Sequence, residues 1–175
     1  MKPTDFISTL QRRTGVTAIG PSALRQQGAA VLTAAQDYVG LMDLTGASAF
    51  DQDEFKAWLG DHTEALLDAL PIRNRPWGTA RKAINLFLRD VLYNQYLNDH
   101  FGFAKLEPWL EIPLDHAVAT GLIDADKNGR LHRWPGLKHL KPEVSRIYQE
   151  FASEKAKEKG VERVHLDIYL WLENR

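Results

Sequence analysis

The sequence predicts an all-α protein, a compact multi-helix bundle that forms a single domain over residues 1–175. Apolar residues recur at intervals of three and four through most of the chain, which is the pattern of helices with one buried face. Glycine and proline separate these segments and predict short connections. A chain of 175 residues is long enough to bury a core without disulfides or metal ions.

Three helices are expected in the first part of the chain, each ended by a glycine or a proline. The third follows Asp51 or Asp53, since either aspartate is a favourable N-cap. The expected extents are residues 3–13, residues 21–39, and from the capping aspartate to Leu70.

The rest of the chain is also expected to be mainly helical. The central helix is predicted from Thr79 to Asn98, because apolar residues line one of its sides. One segment differs: in residues 122–134, Asn128-Gly129 favours the tight turn of one short β-hairpin. The other helices are expected over residues 103–110, from Asp115 onward, and over residues 142–159 and 161–173.

The composition excludes several classes of protein. The chain has no cysteine, which excludes a disulfide framework, a cysteine-ligated zinc site and an iron–sulfur cluster. No run of eighteen apolar residues occurs, and the N-terminus leads into no signal-peptide core. The six histidines show no metal-ligand spacing. We therefore expect a soluble cytoplasmic protein without a metal or cofactor.

Positive charge is concentrated in the second part of the chain. The formal net charge is −1, which alone argues against binding to nucleic acid. Residues 1–70 hold five Lys and Arg against nine Asp and Glu, whereas residues 71–175 hold seventeen against fourteen. Such clusters usually mark only a solvated face. The first cluster comprises Arg73, Arg75, Arg81, Lys82 and Arg89, and the second Lys127, Arg130, Arg133, Lys138, Lys141 and Arg146.

Lys82 and Asp115 are the first candidates for chemistry. Lys82 lies beside the apolar stripe of the central helix, and partial burial disfavours the charged form of an amine and makes it more nucleophilic. Asp115 follows Ile112-Pro113-Leu114 and precedes a helical segment, so it is placed as an N-cap. The two side chains are expected to face one cleft. The simpler alternatives are a lysine whose stem lies along the helix surface and an aspartate that only caps.

Asp167 and Trp171 form a second pair. They are one helical turn apart and are expected on one face of the last helix. The structural alternative is that Trp171 belongs to the core and that Asp167 pairs with Arg163 or a histidine. Leu86, one turn after Lys82, is expected to line the same pocket as the lysine.

The turn Ile112-Pro113-Leu114-Asp115 resembles that of the helix-hairpin-helix DNA glycosylases, in which such an aspartate opens a helix. The interval from Lys82 to Asp115 is similar to that in the archaeal 8-oxoguanine glycosylase branch of the superfamily. That branch also carries an aspartate and a tryptophan at the spacing of Asp167 and Trp171. The resemblance covers roughly residues 65–175.

This resemblance implies a helix-hairpin-helix-like element within the bundle and the function of a DNA repair glycosylase with AP lyase activity. It would act as a monomer on double-stranded DNA, near the nucleoid, and excise a modified purine, with 8-oxoguanine as the first candidate. Lys82 would attack the sugar C1′ of a flipped nucleotide, and Asp115 would stabilise the positive charge on the sugar. The base would be read by Asp167, Trp171, Leu86 and Gln36 or Gln27. The DNA backbone would be contacted by Arg73, Arg75, Gly78, Thr79 and Arg81.

Other interpretations stay open. A non-catalytic module on the same fold, binding nucleic acid or a protein, is favoured by the near-neutral charge and by the hairpin segment 70–78, whose single glycine departs from the glycine-rich family hairpin. An unrelated bundle in which Lys82 and Asp115 never meet is a second alternative. A calcium loop is suggested by the segment 124–129, but Pro135 stands where such a loop requires a glutamate.

Overall fold

Eight α-helices hold most of the residues that the computed structural model describes, which are 3–24 and 27–173. This part of the chain contains no β-strand, and the predicted all-α fold is confirmed. The helices are α1 (Pro3–Ala18), α2 (Ala29–Leu41), α3 (Gln52–Ala69), α4 (Trp77–Tyr93), α5 (Gln95–Phe101), α6 (His116–Ala125), α7 (Pro142–Glu158) and α8 (Leu166–Glu173). Segments of 3₁₀ helix lie at Ala47–Ala49, Phe103–Trp109, Leu137–His139 and Arg163–His165.

Helix α4 is the centre of the fold. It contacts α1, α2, α3, α5 and α7, and every residue from Gly78 to Leu88 is buried. The apolar side chains of α4 face the core, as their spacing predicts. Four polar side chains, Thr79, Arg81, Lys82 and Asn85, are buried with them. Each of these needs a partner inside the protein, because an unsatisfied buried polar group is costly.

The core consists of two clusters of buried apolar residues. The first lies among helices α1 to α5 and includes Phe55 and Phe87. The second lies among α6, α7 and α8 and includes Tyr148 and Phe151. Trp77, the first residue of α4, packs against both clusters. The start of α4 therefore lies at the junction of the two cores.

Close packing at this junction depends on Gly78. A Cβ atom on Gly78 would lie 2.6 Å from the carbonyl oxygen of Leu137 and 2.6 Å from the Cβ of Leu140. Both distances are far shorter than van der Waals contact. The glycine therefore lets the Leu137–His139 segment lie directly on α4.

The substitution Gly78→Ala is expected to destabilise the protein by about 1–3 kcal/mol, because the backbone near Leu137 must move to admit the methyl group. Gly60→Ala is the matched control, since a Cβ on Gly60 in α3 meets nothing within 4 Å. In that open helix position alanine is expected to stabilise by about 0.5–1 kcal/mol. Urea unfolding measures both free energies. Equal effects of the two substitutions would contradict the close contact at Gly78.

Two predicted boundaries in the N-terminal helices are wrong. Helix α1 continues through Gly15 to Ala18, because Gly15 is a packing glycine: its Cβ would lie 3.0 Å from Val39 Cγ2 of α2. Helix α2 begins at Ala29 rather than at residue 21. Gly28 precedes it with a φ of 92°, a left-handed conformation that helical residues do not adopt.

Two later boundaries also differ from the prediction. Helix α4 ends at Tyr93 rather than at residue 98, because Asn94 is extended and its side chain accepts a hydrogen bond from the Leu97 amide, which starts α5. Helix α8 begins at Leu166 after a 3₁₀ turn. The predicted cap of α3 is confirmed at Asp51, which forms a reciprocal capping box with Glu54.

The predicted β-hairpin at residues 122–134 is also wrong. This segment holds the end of α6 and a turn at Asp126–Gly129. The Asp126 carboxylate accepts hydrogen bonds from the amides of Asn128 (3.2 Å) and Leu131 (2.6 Å). Because one side chain satisfies these amides, the turn needs no cross-strand partner. The same contacts engage the Asp126 oxygens that a calcium loop would use.

Candidate active site

Lys82 and Asp115 meet in the folded protein. The Lys82 Nζ lies 3.2 Å from Asp115 Oδ2 and donates a hydrogen bond to the carbonyl oxygen of Ala23 at 2.7 Å. Only 6% of the Lys82 side chain is exposed, whereas Asp115 is 34% exposed. The amine is buried because α4 lies at the centre of the fold, whereas the carboxylate beside it is partly exposed to solvent.

Asp115 both caps α6 and pairs with the lysine. Its Oδ1 accepts a hydrogen bond from the Val118 amide at 2.9 Å, and its other oxygen faces Lys82. The cap confirms the position predicted from the sequence. Asp115 is therefore more than a cap, because its second oxygen forms an ion pair with Lys82.

Gln149 of α7 holds the turn that carries Asp115. Its side-chain Oε1 accepts a hydrogen bond from the Ile112 amide at 3.1 Å, and its Nε2 donates to the Ile112 carbonyl at 2.8 Å. Gln149 is 3% exposed and Ile112 is fully buried. This contact fixes the extended Ile112-Pro113-Leu114 segment and therefore the direction in which Asp115 points.

Asp167 lies near enough to Asp115 for the two charges to interact, and it binds Arg89. Arg89 donates hydrogen bonds to Asp167 Oδ2 and to Asp90. It follows Lys82 by seven residues, two helical turns, so the two cations lie on one face of α4 with Leu86 between them. The sequence alternative of an Asp167–Arg163 pair is wrong, since Arg163 donates to backbone carbonyls instead. Arg89 is the site residue that sequence reasoning missed; its spacing from Lys82 was the available signal.

One oxygen of Asp167 has no hydrogen-bond partner among the described residues. Asp167 Oδ1 is buried, and the side chain as a whole is 12% exposed. Burial raises the pKa of Asp167 and the Asp115 charge adds to this rise, while Arg89 and the backbone amide of Ile168 oppose it. A buried acceptor with an unused lone pair is costly, and it is the kind of group that a ligand donor would satisfy.

The remaining base-recognition candidates have different environments. Leu86 is 8% exposed and lies on the lysine face of α4. The Gln36 amide donates to the Ile19 carbonyl at 2.8 Å, so its NH₂ group is already bonded to the turn that follows α1. The side chain of Trp171 lies outside the part of the chain that the structure describes. Gln27 is half-buried next to Gly28.

The predicted DNA-backbone residues are divided between surface and interior. Arg73 is exposed on the segment between α3 and α4. Arg75 is exposed but pairs with Glu64 at 3.0 Å and with Asp68. Gly78, Thr79 and Arg81 are buried. Buried residues do not present donors to a phosphate, so this geometry supports backbone contacts from Arg73 and does not support them from Gly78, Thr79 or Arg81.

Arg81 has an internal role instead. Its guanidinium donates to both oxygens of Glu111 at 2.9 Å, and also to the Leu59 carbonyl and the Thr63 hydroxyl at 2.9 Å. This network joins α3 and α4 to the segment before α6. These partners compensate the buried charge of Arg81, which the sequence analysis had placed at a DNA-binding surface.

Across the described residues, histidine, aspartate and glutamate nowhere gather in a group of three that could hold a metal ion. Within the same residues, every helix is too short or too polar to cross a membrane.

The chain matches no protein-family model, and no curated protein or solved structure is significantly similar to it. The candidate site therefore rests on its own geometry.

Proposed function

We propose that this protein is a DNA glycosylase with AP lyase activity that excises a modified purine, with 8-oxoguanine as the first candidate. The observation that carries the proposal is the contact between a buried lysine amine and an N-cap carboxylate, Lys82 Nζ to Asp115 Oδ2 at 3.2 Å. A nucleophilic amine beside a carboxylate that can accept its proton is the arrangement that Schiff-base chemistry requires.

The proposed reaction uses both groups. Asp115 accepts a proton from the Lys82 ammonium, and the neutral amine attacks C1′ of a flipped nucleotide. The new C1′–N bond forms as the glycosidic bond breaks, and the departing base takes up the proton. The resulting aminal opens by cleavage of its C1′–O4′ bond, with the amine proton passing to O4′ through Asp115, and gives a Schiff base. Loss of a C2′ proton from this Schiff base then expels the 3′ phosphate by β-elimination. Asp115 also stabilises the positive charge that develops on the sugar.

Base selection is proposed for Asp167. Its buried Oδ1 has no partner among the described residues, so it can accept a hydrogen bond from a purine N–H. Guanine presents N7 as an acceptor, whereas 8-oxoguanine carries a proton there. A carboxylate acceptor therefore favours the oxidised base and opposes the normal one. Arg89 holds the other oxygen of Asp167 and keeps the acceptor in position.

A second candidate function is a non-catalytic binding module. The observation that favours it is the enclosure of Lys82, whose side chain is 6% exposed and which donates to the Ala23 carbonyl. A flipped nucleotide would have to displace the turn that carries Ala23 before the amine could react. Enzymes of several classes open loops in this way, so the enclosure alone does not decide between the two functions.

The experiment that separates the two is incubation with a panel of duplexes, each carrying one modified base, scored by base release and by borohydride trapping. A trapped adduct on one duplex supports a lysine-based glycosylase/lyase and identifies its substrate. Base release without trapping excludes the lyase chemistry of Lys82. No reaction on any duplex, with DNA binding that weakens steeply as salt increases, favours the binding module.

A further inference from the structure

A pocket lies on the side of α4 opposite the lysine site. Consecutive helix residues point about 100° apart, so Arg81 faces away from the lysine site although it precedes Lys82. Arg81 faces a pocket of about 450 Å³ between α3, α4 and α7. Lys82, Asp115 and Asp167 do not line it. This volume falls in the range of small-molecule sites, about 300–1,000 Å³.

The base of the pocket carries an excess of positive charge. Arg81 and Arg163 both line it, and the buried carboxylate between them is Glu111. Glu111 makes both of its close ion-pair contacts with Arg81, whereas Arg163 donates to the carbonyls of Leu110 and Trp109. Burial lowers the pKa of Arg163. Two guanidinium groups thus share one carboxylate in a setting where an uncompensated charge is costly.

The walls of the pocket are aromatic. Trp77, Phe55 and Trp109 line it, and the ring centroids of Phe55 and Trp109 are 6.1 Å apart. The Arg81 guanidinium lies over the Trp77 ring at 5.4 Å. Flat apolar walls of this kind favour a planar ligand that can stack.

The rim adds another cation and hydrogen-bonding groups. Lys56 is exposed at the opening, and among the described residues no carboxylate forms an ion pair with it. Gln52 and Ser145 also line the pocket and offer polar groups to a ring edge. Arg146 on the opposite side is engaged with Glu150 at 2.7 Å. Four cations line the pocket, Lys56, Arg81, Arg146 and Arg163, against three carboxylates, Glu111, Glu143 and Glu150. The lining therefore has one positive charge in excess, and Arg163 and Lys56 are the cations without a close carboxylate partner among the described residues.

We propose that this pocket binds a nucleoside monophosphate, with the phosphate near Arg163 and Lys56 and the heterocycle against the aromatic walls. A phosphate monoester supplies negative charge to a lining with one cation in excess, and charge-assisted hydrogen bonds to phosphate are among the stronger ones in proteins. The heterocycle supplies the flat surface that Trp77, Phe55 and Trp109 accommodate. This site is independent of the proposed glycosylase reaction.

The test is calorimetric titration of the full chain with AMP, GMP, CMP and UMP. Inorganic phosphate and the matching nucleosides are the ligand controls, because each lacks one half of the proposed ligand. Lys56→Glu reverses a charge at the rim and is expected to weaken binding by at least about tenfold. Lys127→Glu makes the same charge change at an exposed turn outside the pocket and is expected to leave affinity unchanged.

Saturable binding of a monophosphate that follows this pattern supports the proposal, and so does unchanged binding by Lys82→Gln. Absence of saturable binding up to about 5 mM for all four nucleotides overturns it. Equal affinity in Lys56→Glu and Lys127→Glu overturns it as well. Binding of phosphate alone, or of nucleosides alone, as tight as that of the nucleotide also overturns the proposed combination of cation and ring contacts.

Discussion

Lys82→Gln is expected to abolish borohydride trapping on the duplex that the protein cleaves and to lower the rate of base release at least about 10³-fold, because an amide cannot form a Schiff base. Glutamine keeps an N–H donor, one bond shorter than the lysine amine, beside the Ala23 carbonyl that Lys82 binds at 2.7 Å. Asp115 is 34% exposed, so water can solvate its carboxylate when the ion pair is removed. The fold and the affinity for DNA should therefore be retained. Trapping gels, single-turnover base release, thermal unfolding and titration with DNA measure the four quantities.

The matched control for this prediction is Lys105→Gln. Lys105 is exposed in the Phe103–Trp109 segment, so its replacement removes the same charge without touching α4. Normal trapping by Lys105→Gln together with none by Lys82→Gln assigns the nucleophile. Persistent trapping by a folded Lys82→Gln protein would remove Lys82 from that role, and another amine would then have to supply it.

The parts of the candidate site that could be predicted from sequence are those set by local rules. The position of Lys82 follows from the apolar spacing of α4, and the cap at Asp115 follows from an aspartate before a helical segment. Their contact depends on the tertiary fold. It requires Gln149, far along the chain in α7, to hold the backbone of Ile112, and no local pattern identifies that partner.

The environments of charged residues differ most between the sequence prediction and the structure. Arg81 and Arg75 lie in one basic cluster of the sequence, yet one is buried against Glu111 and the other is exposed between α3 carboxylates. Both arginines stand near the start of α4, and the residues around them in sequence do not distinguish a buried guanidinium from an exposed one. Its environment depends on a partner thirty residues away for Arg81. Likewise, Arg89 and Asp167 are separated by 78 residues, so their pairing could not be predicted.

Glu111→Ala is expected to destabilise the protein by about 3–5 kcal/mol, because removal of one member of a buried ion pair leaves the other charge uncompensated. In this protein Glu111 is 16% exposed and Arg81 is 10% exposed, and Arg163 lies close enough to share the carboxylate's charge. Chemical unfolding at pH 7 measures the loss. Glu150→Ala is the control, since its ion pair with Arg146 is more than half exposed and should contribute less than about 1 kcal/mol.

The double variant Arg81→Met, Glu111→Leu tests the cause of this loss. It removes both charges of the pair, so it is expected to be less destabilised than Glu111→Ala, in which the guanidinium stays buried without its carboxylate. If the double variant is as unstable as Glu111→Ala, the loss of stability is caused by lost packing at this position and not by an uncompensated charge.

The stability that Glu111 contributes should also depend on pH and should decrease as the pH falls. Burial raises the pKa of Glu111, but the charges of Arg81 and Arg163 and the hydrogen bonds from Arg81 and Asn85 lower it further, so that it lies below its ordinary value of 4.5. A carboxyl whose pKa is lower in the folded state stabilises the protein above its unfolded pKa and loses that contribution as the pH falls through the folded value. The stability difference between the wild type and Glu111→Ala should therefore be full at neutral pH and narrow below pH 4.5. A difference that stays constant between pH 7 and about pH 3 would show that the ionised form of Glu111 is not what stabilises the junction of the two cores.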